Sequence, residues 1–357
     1  MIHVTKPYLP QREKYDRYVD RIYASNWLTN NGPLVQELEE RLCDHLGVKN
    51  LLLVSNGTVA LNLAYHLLAL DGEVITTPFS FVATTSSIVW EGLDVTYADI
   101  DPETLTIDPE KLERQISDNT SAIVPVHVFG NGCDVEAIDR IAKRHGLKVV
   151  YDAAHAFGTT YNGQSILEYG DVSTISFHAT KLFHTIEGGA LIIKDDVLYR
   201  QAKQMINFGF ENQEIEGVGI NAKMNEFQAA MGLCVLDDMA KVTAARCSIW
   251  EAYVAAIGTL VSIPTWRKGC SNNFSYFPIL LRDEDELLRV QVALNDRKII
   301  PRRYFYPSLE TLKYLPEQEE MPVSNEVAAR ILCLPLYPDL SKDETALICE
   351  TIREVLA

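Results

Sequence analysis

Residues 51–70 read LLLVSNGTVALNLAYHLLAL. Leu51–Val54 is an apolar run of strand length. Ser55-Asn56-Gly57-Thr58 then breaks the run with small polar residues. From Thr58 to Leu70 apolar side chains recur at helical spacing. A strand, a polar turn and a helix make half of a βαβ unit, and the chain repeats the pattern outward from here. Upstream, Val35–Leu46 reads as an amphipathic helix closed by Gly47. Downstream, Glu73–Thr76, Asp94–Ala98, Ala122–His127 and Lys148–Tyr151 read as strands. Val82–Glu91 and Glu136–His145 read as the helices between them. Short apolar strands alternating with helices predict an α/β fold whose mostly parallel sheet is covered on both faces.

The order changes after residue 170. Val172–Phe177 and Ala190–Ile193 read as strands with only a short polar connection. Helical patterns run from about Lys194 to Ile257. The remainder gives a strand at Phe274–Leu280, a helix at Glu284–Leu294, a short strand near Ile299–Arg303 and a closing helix at Lys342–Leu356. The expected organisation is a large mostly parallel-sheet domain, residues 1–240 with an N-terminal segment, and a smaller C-terminal α+β domain, residues 241–357. The helical region near Asn225–Ile257 links them.

Charge narrows the partners. Lys and Arg number 32 and Asp and Glu 49, giving −17 over 357 residues. Nucleic acid and anionic membranes need clustered cations, so neither is an expected partner. Hydrophobic content of 47% with 23% charged residues excludes a disordered chain. The seven cysteines are scattered without any C-x-x-C, and MIHVTKPYLP carries no signal-peptide pattern. Both point to a reduced, cytoplasmic protein. His178 and His184 lack the spacing of a helical metal pair, so no metal site is expected.

Ligands of open α/β sheets bind beyond the carboxyl ends of the strands. Four places there could carry chemistry. Ser55–Thr58 opens a helix, where free N–H groups make an anion site; the same residues also serve as a plain N-cap. Asp152 ends the run Lys148–Tyr151 and enters the apolar loop AAHAFG, where burial penalises its charge; a turn residue would look the same. Lys181, in SFHATK before EGGA, lies between two strands among small, aromatic and imidazole side chains. Shielding there would make its amine nucleophilic, though most single lysines are solvated. An aromatic of Phe79–Phe81, after the Glu73–Thr76 strand, could stack on a flat ring or simply fill core. Together the four fit pyridoxal 5′-phosphate (PLP): a phosphate cradle, an aromatic plate, a carboxylate for the pyridinium nitrogen and a low-pKa lysine.

In order, the stretches SNGTVAL, TTPFSFVAT, PVHVFG, YDAAHAFG, SFHATK with EGGA, and GINAKMNEFQAA resemble the DegT/DnrJ/EryC1/StrS family of sugar aminotransferases. The resemblance runs from Trp27–Pro33 to Arg303–Pro307. It implies the PLP fold-type I, aspartate aminotransferase-like architecture. It casts Lys181 as the Schiff-base lysine and Asp152 as the pyridine-nitrogen partner. By the same resemblance His155 lies near the ring hydroxyl, Gly57, Thr58 and Ser176 bind the phosphate, and Phe81 stacks on the ring. Asn221 matches an Asn reaching the neighbouring subunit's cofactor, which implies a homodimer with shared active sites. Thr29 and Tyr304 are the implied substrate-binding residues. Tyr151, Ala222 and Lys223 depart from the family pattern.

The implied activity is transfer of the amino group of L-glutamate to C4 of a dTDP-linked 4-keto-6-deoxyhexose. The product would be dTDP-4-amino-4,6-dideoxyglucose, destined for surface polysaccharide. Alternatives at this level are a 3-keto nucleotide-sugar aminotransferase, a UDP-4-keto-sugar aminotransferase, a PLP-dependent sugar dehydrase and a non-catalytic regulatory binder.

Overall fold

The computed structural model describes residues 1–357. Strand β1 (Ile2–His3) and helix α1 (Arg12–Ser25) precede α2 (Pro33–Leu46). Then follow β2 (Leu51–Val54), α3 (Gly57–Leu67), β3 (Glu73–Thr76), α4 (Val82–Trp90), β4 (Asp94–Tyr97), α5 (Pro109–Arg114), β5 (Thr120–Val124), α6 (Val135–His145) and β6 (Lys148–Asp152). A small hairpin, β7 (Thr160–Tyr161) and β8 (Gln164–Ser165), leads to β9 (Val172–Ser176) and β10 (Gly189–Ile193). The seven-stranded sheet has the order β2-β10-β9-β6-β5-β3-β4. Only β10 runs against its neighbours.

Burial on both faces explains why β2 and β10 are apolar throughout. Leu51, Leu53, Val149, Tyr151 and Ile175 join a core with Leu38 and Leu42 of α2, Ile138 of α6, and Leu233 of the helix at 226–237. Leu52, Val54, Val150, Val172 and Leu191 enter a second core with Leu61 and Ala64 of α3 and Ile88 of α4. These strands therefore feed two helical layers, and the buried polar residues of the sheet, such as Thr76, Asp152 and Thr174, are few.

The chain departs from the sequence expectation after α7 (Asp196–Met205). Within the stretch of helical patterns read from about Lys194 to Ile257, a hairpin, β11 (Phe210–Glu211) and β12 (Glu214–Ile215), comes before α8 (Glu226–Asp237) and α9 (Met239–Ile257). Phe208, Asn212 and Gln213 all take positive φ there, which no helix accommodates. The predicted strand at Ala122–His127 is also shifted, beginning at Thr120 and ending at Val124.

In the C-terminal part, β13 (Phe277–Leu280), α10 (Glu284–Asp296) and β14 (Ile299–Ile300) precede α11 (Pro322–Arg330), β15 (Ile331–Leu334) and α12 (Lys342–Leu356). Strands β13 and β15 pair antiparallel, and β1 pairs with β14. A third core joins α9, α10 and α12 and takes in Ile2. Helix α9 begins in the first core at Met239 and Val242 and ends in the third at Ile249 and Tyr253. Residue 240 thus lies inside a continuous helix, and the first strand packs with the C-terminal part rather than with the large sheet. No helix is long and apolar enough to cross a membrane.

Leu38 is wholly buried between the sheet and α8. Leu38→Ala should lower unfolding free energy by about 2–5 kcal/mol, read from urea melts, because the site can collapse only in part.

Candidate active site

The carboxyl ends of β2, β6 and β9 open on one cavity of about 1210 Å³. At the end of β2, Asn56 caps α3 by accepting the Val59 N–H at 2.9 Å. The N–H groups of Gly57 and Thr58, in the first turn, are left without helical partners and face the cavity mouth. A Cβ on Gly57 would stand 2.8 Å from Ser176 Cβ, so only glycine lets α3 start this close to β9. The Thr58 and Ser176 hydroxyls line the same corner.

At the end of β6, Asp152 is 6% exposed. Its carboxylate accepts the Thr84 hydroxyl at 2.7 Å and the Ala154 N–H at 3.1 Å. Thr84 shares a 2.8 Å hydrogen bond with Ser80, and because its own proton goes to Asp152, Ser80 is the donor. Burial pushes the Asp152 carboxyl above its ordinary range, against the pull of these hydrogen bonds and of the Lys181 charge. Lys181 follows β9. Desolvation brings its amine down to about 8, partly opposed by Asp152. No protein group hydrogen-bonds or ion-pairs with its Nζ. A carboxylate and an amine thus share one cavity, and no protein group occupies the amine.

His155 accepts the Phe129 N–H on Nδ1 at 3.2 Å, which leaves the ring proton on Nε2. Burial keeps the ring neutral, its pKa held well below the usual value. Phe129 and Phe305 stack near-parallel to it, with centroids at 6.3 and 5.7 Å. Phe81 precedes α4 and is 56% exposed on the cavity wall. Tyr304 lines the opposite wall with Arg302, whose guanidinium donates to the Tyr304 hydroxyl at 3.1 Å.

A sequence model of the DegT/DnrJ/EryC1/StrS aminotransferase family matches residues 10–353. The chain belongs to that family. It is 43% identical to a dTDP-4-amino-4,6-dideoxy-D-glucose transaminase of Shigella dysenteriae, covering 99% of both chains. It is 39% identical to a transaminase of the same name from Escherichia coli, covering 96% of this chain and 95% of the relative. A crystal structure of DesI, studied in the presence of its TDP-sugar product, superposes with a TM-score of 0.94 at 33% identity. That match covers 99% of this chain and 92% of the other.

In this DegT/DnrJ/EryC1/StrS aminotransferase, Gly57, Thr58, Phe81, Asp152, His155, Ser176, Lys181 and Tyr304 line one cavity. Thr29 and Asn221 do not reach it. Thr29 is exposed in the turn before α2, and Asn221 is exposed and bridges Asn207. Sequence reading missed Thr84, although it lies one helical turn after Phe81. It also missed Tyr276, and it named Tyr304 without Arg302 and Phe305, which line the cavity beside it. The two histidines of the HATKLFH stretch do separate work. His178 bonds the Thr180 hydroxyl through Nδ1 at 2.8 Å, and His184 donates from Nε2 to the Tyr8 carbonyl at 2.7 Å.

The Lys181 amine should be acylated by an amine reagent with half-maximal rate near pH 8 in cofactor-free protein, as read by mass spectrometry of its peptide. Asp152→Asn removes the charge that holds the proton on Lys181, so the midpoint should fall. The stability sign follows: the folded pKa lies below the unfolded 10.5, so this group's cost is greatest below pH 8 and shrinks as pH rises from about 8 to 10.5.

Proposed function

We propose that this chain is a PLP-dependent aminotransferase that moves the amino group of L-glutamate to C4 of a dTDP-4-keto-6-deoxyhexose. Its product is dTDP-4-amino-4,6-dideoxyglucose, for surface polysaccharide. The observation that carries the reading is the amine of Lys181, desolvated to about 8, in one cavity with the buried Asp152 carboxylate. The names of the two relatives support the sugar and its nucleotide. All seven cysteines are free thiols, in keeping with a cytoplasmic setting.

The donor set fits PLP. Unpaired N–H groups of Gly57 and Thr58, with the Thr58 and Ser176 hydroxyls, suit a phosphate. Asp152, buried and without a cation in contact, suits a pyridinium N–H. Phe81 offers a face for the ring, and the Nε2–H of His155 has no protein partner and suits the ring hydroxyl. When bound, PLP supplies an electron sink for the charge left as a proton leaves the amino-bearing carbon.

The protein's part is to position and to move protons. Lys181 Nζ, close to half-neutral at pH 8, takes the proton from the amino-bearing carbon of glutamate and later returns one to C4 of the sugar. The Thr84 and Ala154 donors favour the Asp152 anion, the form that would hold a pyridinium N–H. Arg302 and Lys181 are the two Lys or Arg side chains lining the cavity, and both substrates are anions. Thr29 and Asn221 act in the partner's site within a homodimer.

Incubation of glutamate with a panel of 4-keto and 3-keto nucleotide sugars should yield 2-oxoglutarate and the C4 amine in equal amounts, assigned by mass and NMR. Amination at C3, or sugar deoxygenation without glutamate use, would overturn the reading. Lys181→Ala should keep the fold and lose at least about 10²–10⁴ in turnover. Mixed dimers of Lys181→Ala and Asn221→Ala chains should regain about one native site each, because one site then carries both lesions. No recovery would mean that Asn221 serves its own subunit.

A further inference from the structure

Thr29 and Asn221 lie on separate segments, and one buried carboxylate joins them. Glu226, at the start of α8, is 1% exposed. Its Oε2 accepts the Leu34 N–H and its Oε1 the Val35 N–H, each at 2.9 Å, so both oxygens are committed to the first turn of α2. Its own N–H donates to the Leu28 carbonyl at 3.0 Å. A Cβ on Gly32 would stand 2.5 Å from the Glu226 carboxyl carbon, so the turn is closed tightly over the carboxylate. Behind Glu226, Ala222 N–H bonds Ile206 O at 3.1 Å, and Asn221 bridges Asn207 at the base of the β11–β12 hairpin.

The segment carrying Thr29 and the segment carrying Asn221 are therefore fastened to one another through Glu226. Both also expose large apolar side chains. Val218, Gly219 and Ile220 of the second segment line this chain's own cavity, while Trp27 is 48% exposed, Leu28 55% and Ile215 69%. That is surface for a second copy of the chain to cover.

We propose that Glu226 is a positioning residue that makes the 27–35 turn and the 207–225 segment one rigid arm, presented to the cofactor and substrate of the partner's site. The proposal rests on the shared-site reading above. The carboxylate suits this task because a helix N-terminus offers adjacent N–H donors and a positive dipole end, and two acceptor oxygens satisfy two donors. An amide cannot: its NH₂ would face an N–H, leaving Leu34 or Val35 without an acceptor.

Glu226→Gln homodimers should hold PLP roughly tenfold more weakly, the order expected for one buried donor left unsatisfied, and should show a raised KM for the nucleotide sugar. The deciding measurement is made on mixed dimers of Glu226→Gln and Lys181→Ala chains. Their one lysine-bearing site lies in the Glu226→Gln chain and receives its arm from a chain with Glu226 intact. The PLP dissociation constant there, followed by the visible absorption that only lysine-linked cofactor gives, should return to that of the unmodified protein. Persistence of the tenfold loss, or unweakened binding in the Glu226→Gln homodimer, overturns the proposal. If Glu226→Gln chains do not fold, Gly32→Ala, which displaces the same carboxylate, takes their place with the same readings. The Asn221→Ala mixed dimer separates the two failures. Recovery there with loss here removes only the role of Glu226; loss in both removes site sharing and the arm with it.

Discussion

Parallel pairing of β6 with β5 and β9 places Asp152 and Ser176 at the same edge of one sheet, and β2, two strands beyond β9, ends there as well. Strands that run parallel end at the same side of the sheet, so each releases its following connection there. The Ser55–Thr58 turn, the loop after Asp152 and the connection bearing Lys181 are therefore neighbours although more than a hundred positions separate the first from the last. The antiparallel β10 sits between β2 and β9, and its return gives the Lys181 connection its short span.

Desolvation then does opposite things to two groups. It lowers the amine of Lys181 and raises the carboxyl of Asp152. Left alone, both would drift toward neutrality. The Ser80–Thr84–Asp152 chain of hydroxyls and the Ala154 N–H bias the carboxyl back toward its anion, while nothing hydrogen-bonds the amine. The pocket thus acts on the two groups differently, with hydrogen-bond donors opposing the effect of burial on the carboxyl and none attached to the amine.

How far this was legible in the sequence depended on distance along the chain. Strand ends and helix caps are local, so Gly57, Asp152 and Lys181 stand out from their own neighbours. The closing helix Lys342–Leu356 was legible to its ends, since Ser341 and Glu344 form a capping box. The helical patterns read over 194–257 did not reveal the hairpin, where the backbone turns through positive φ at Phe208, Asn212 and Gln213. Tyr276 was invisible because it reaches the cavity from the C-terminal part by tertiary packing alone. The acceptor role of Glu226 was hidden for the same reason, its partners lying some 190 positions upstream.

The alternation along β6 has a consequence for how such a chain can vary. Val150 and Asp152 face one helical layer, and Tyr151, stacked on His127 at 4.6 Å, faces the other. Gain or loss of a single residue within Lys148–Tyr151 would exchange the two, sending the carboxylate into an apolar core and a phenol ring to the cavity. Length changes in this strand are tolerable only two residues at a time. Descendants of the chain can drift in sequence along β6 far more freely than in length, and indels should accumulate instead in surface connections such as that between α6 and β6.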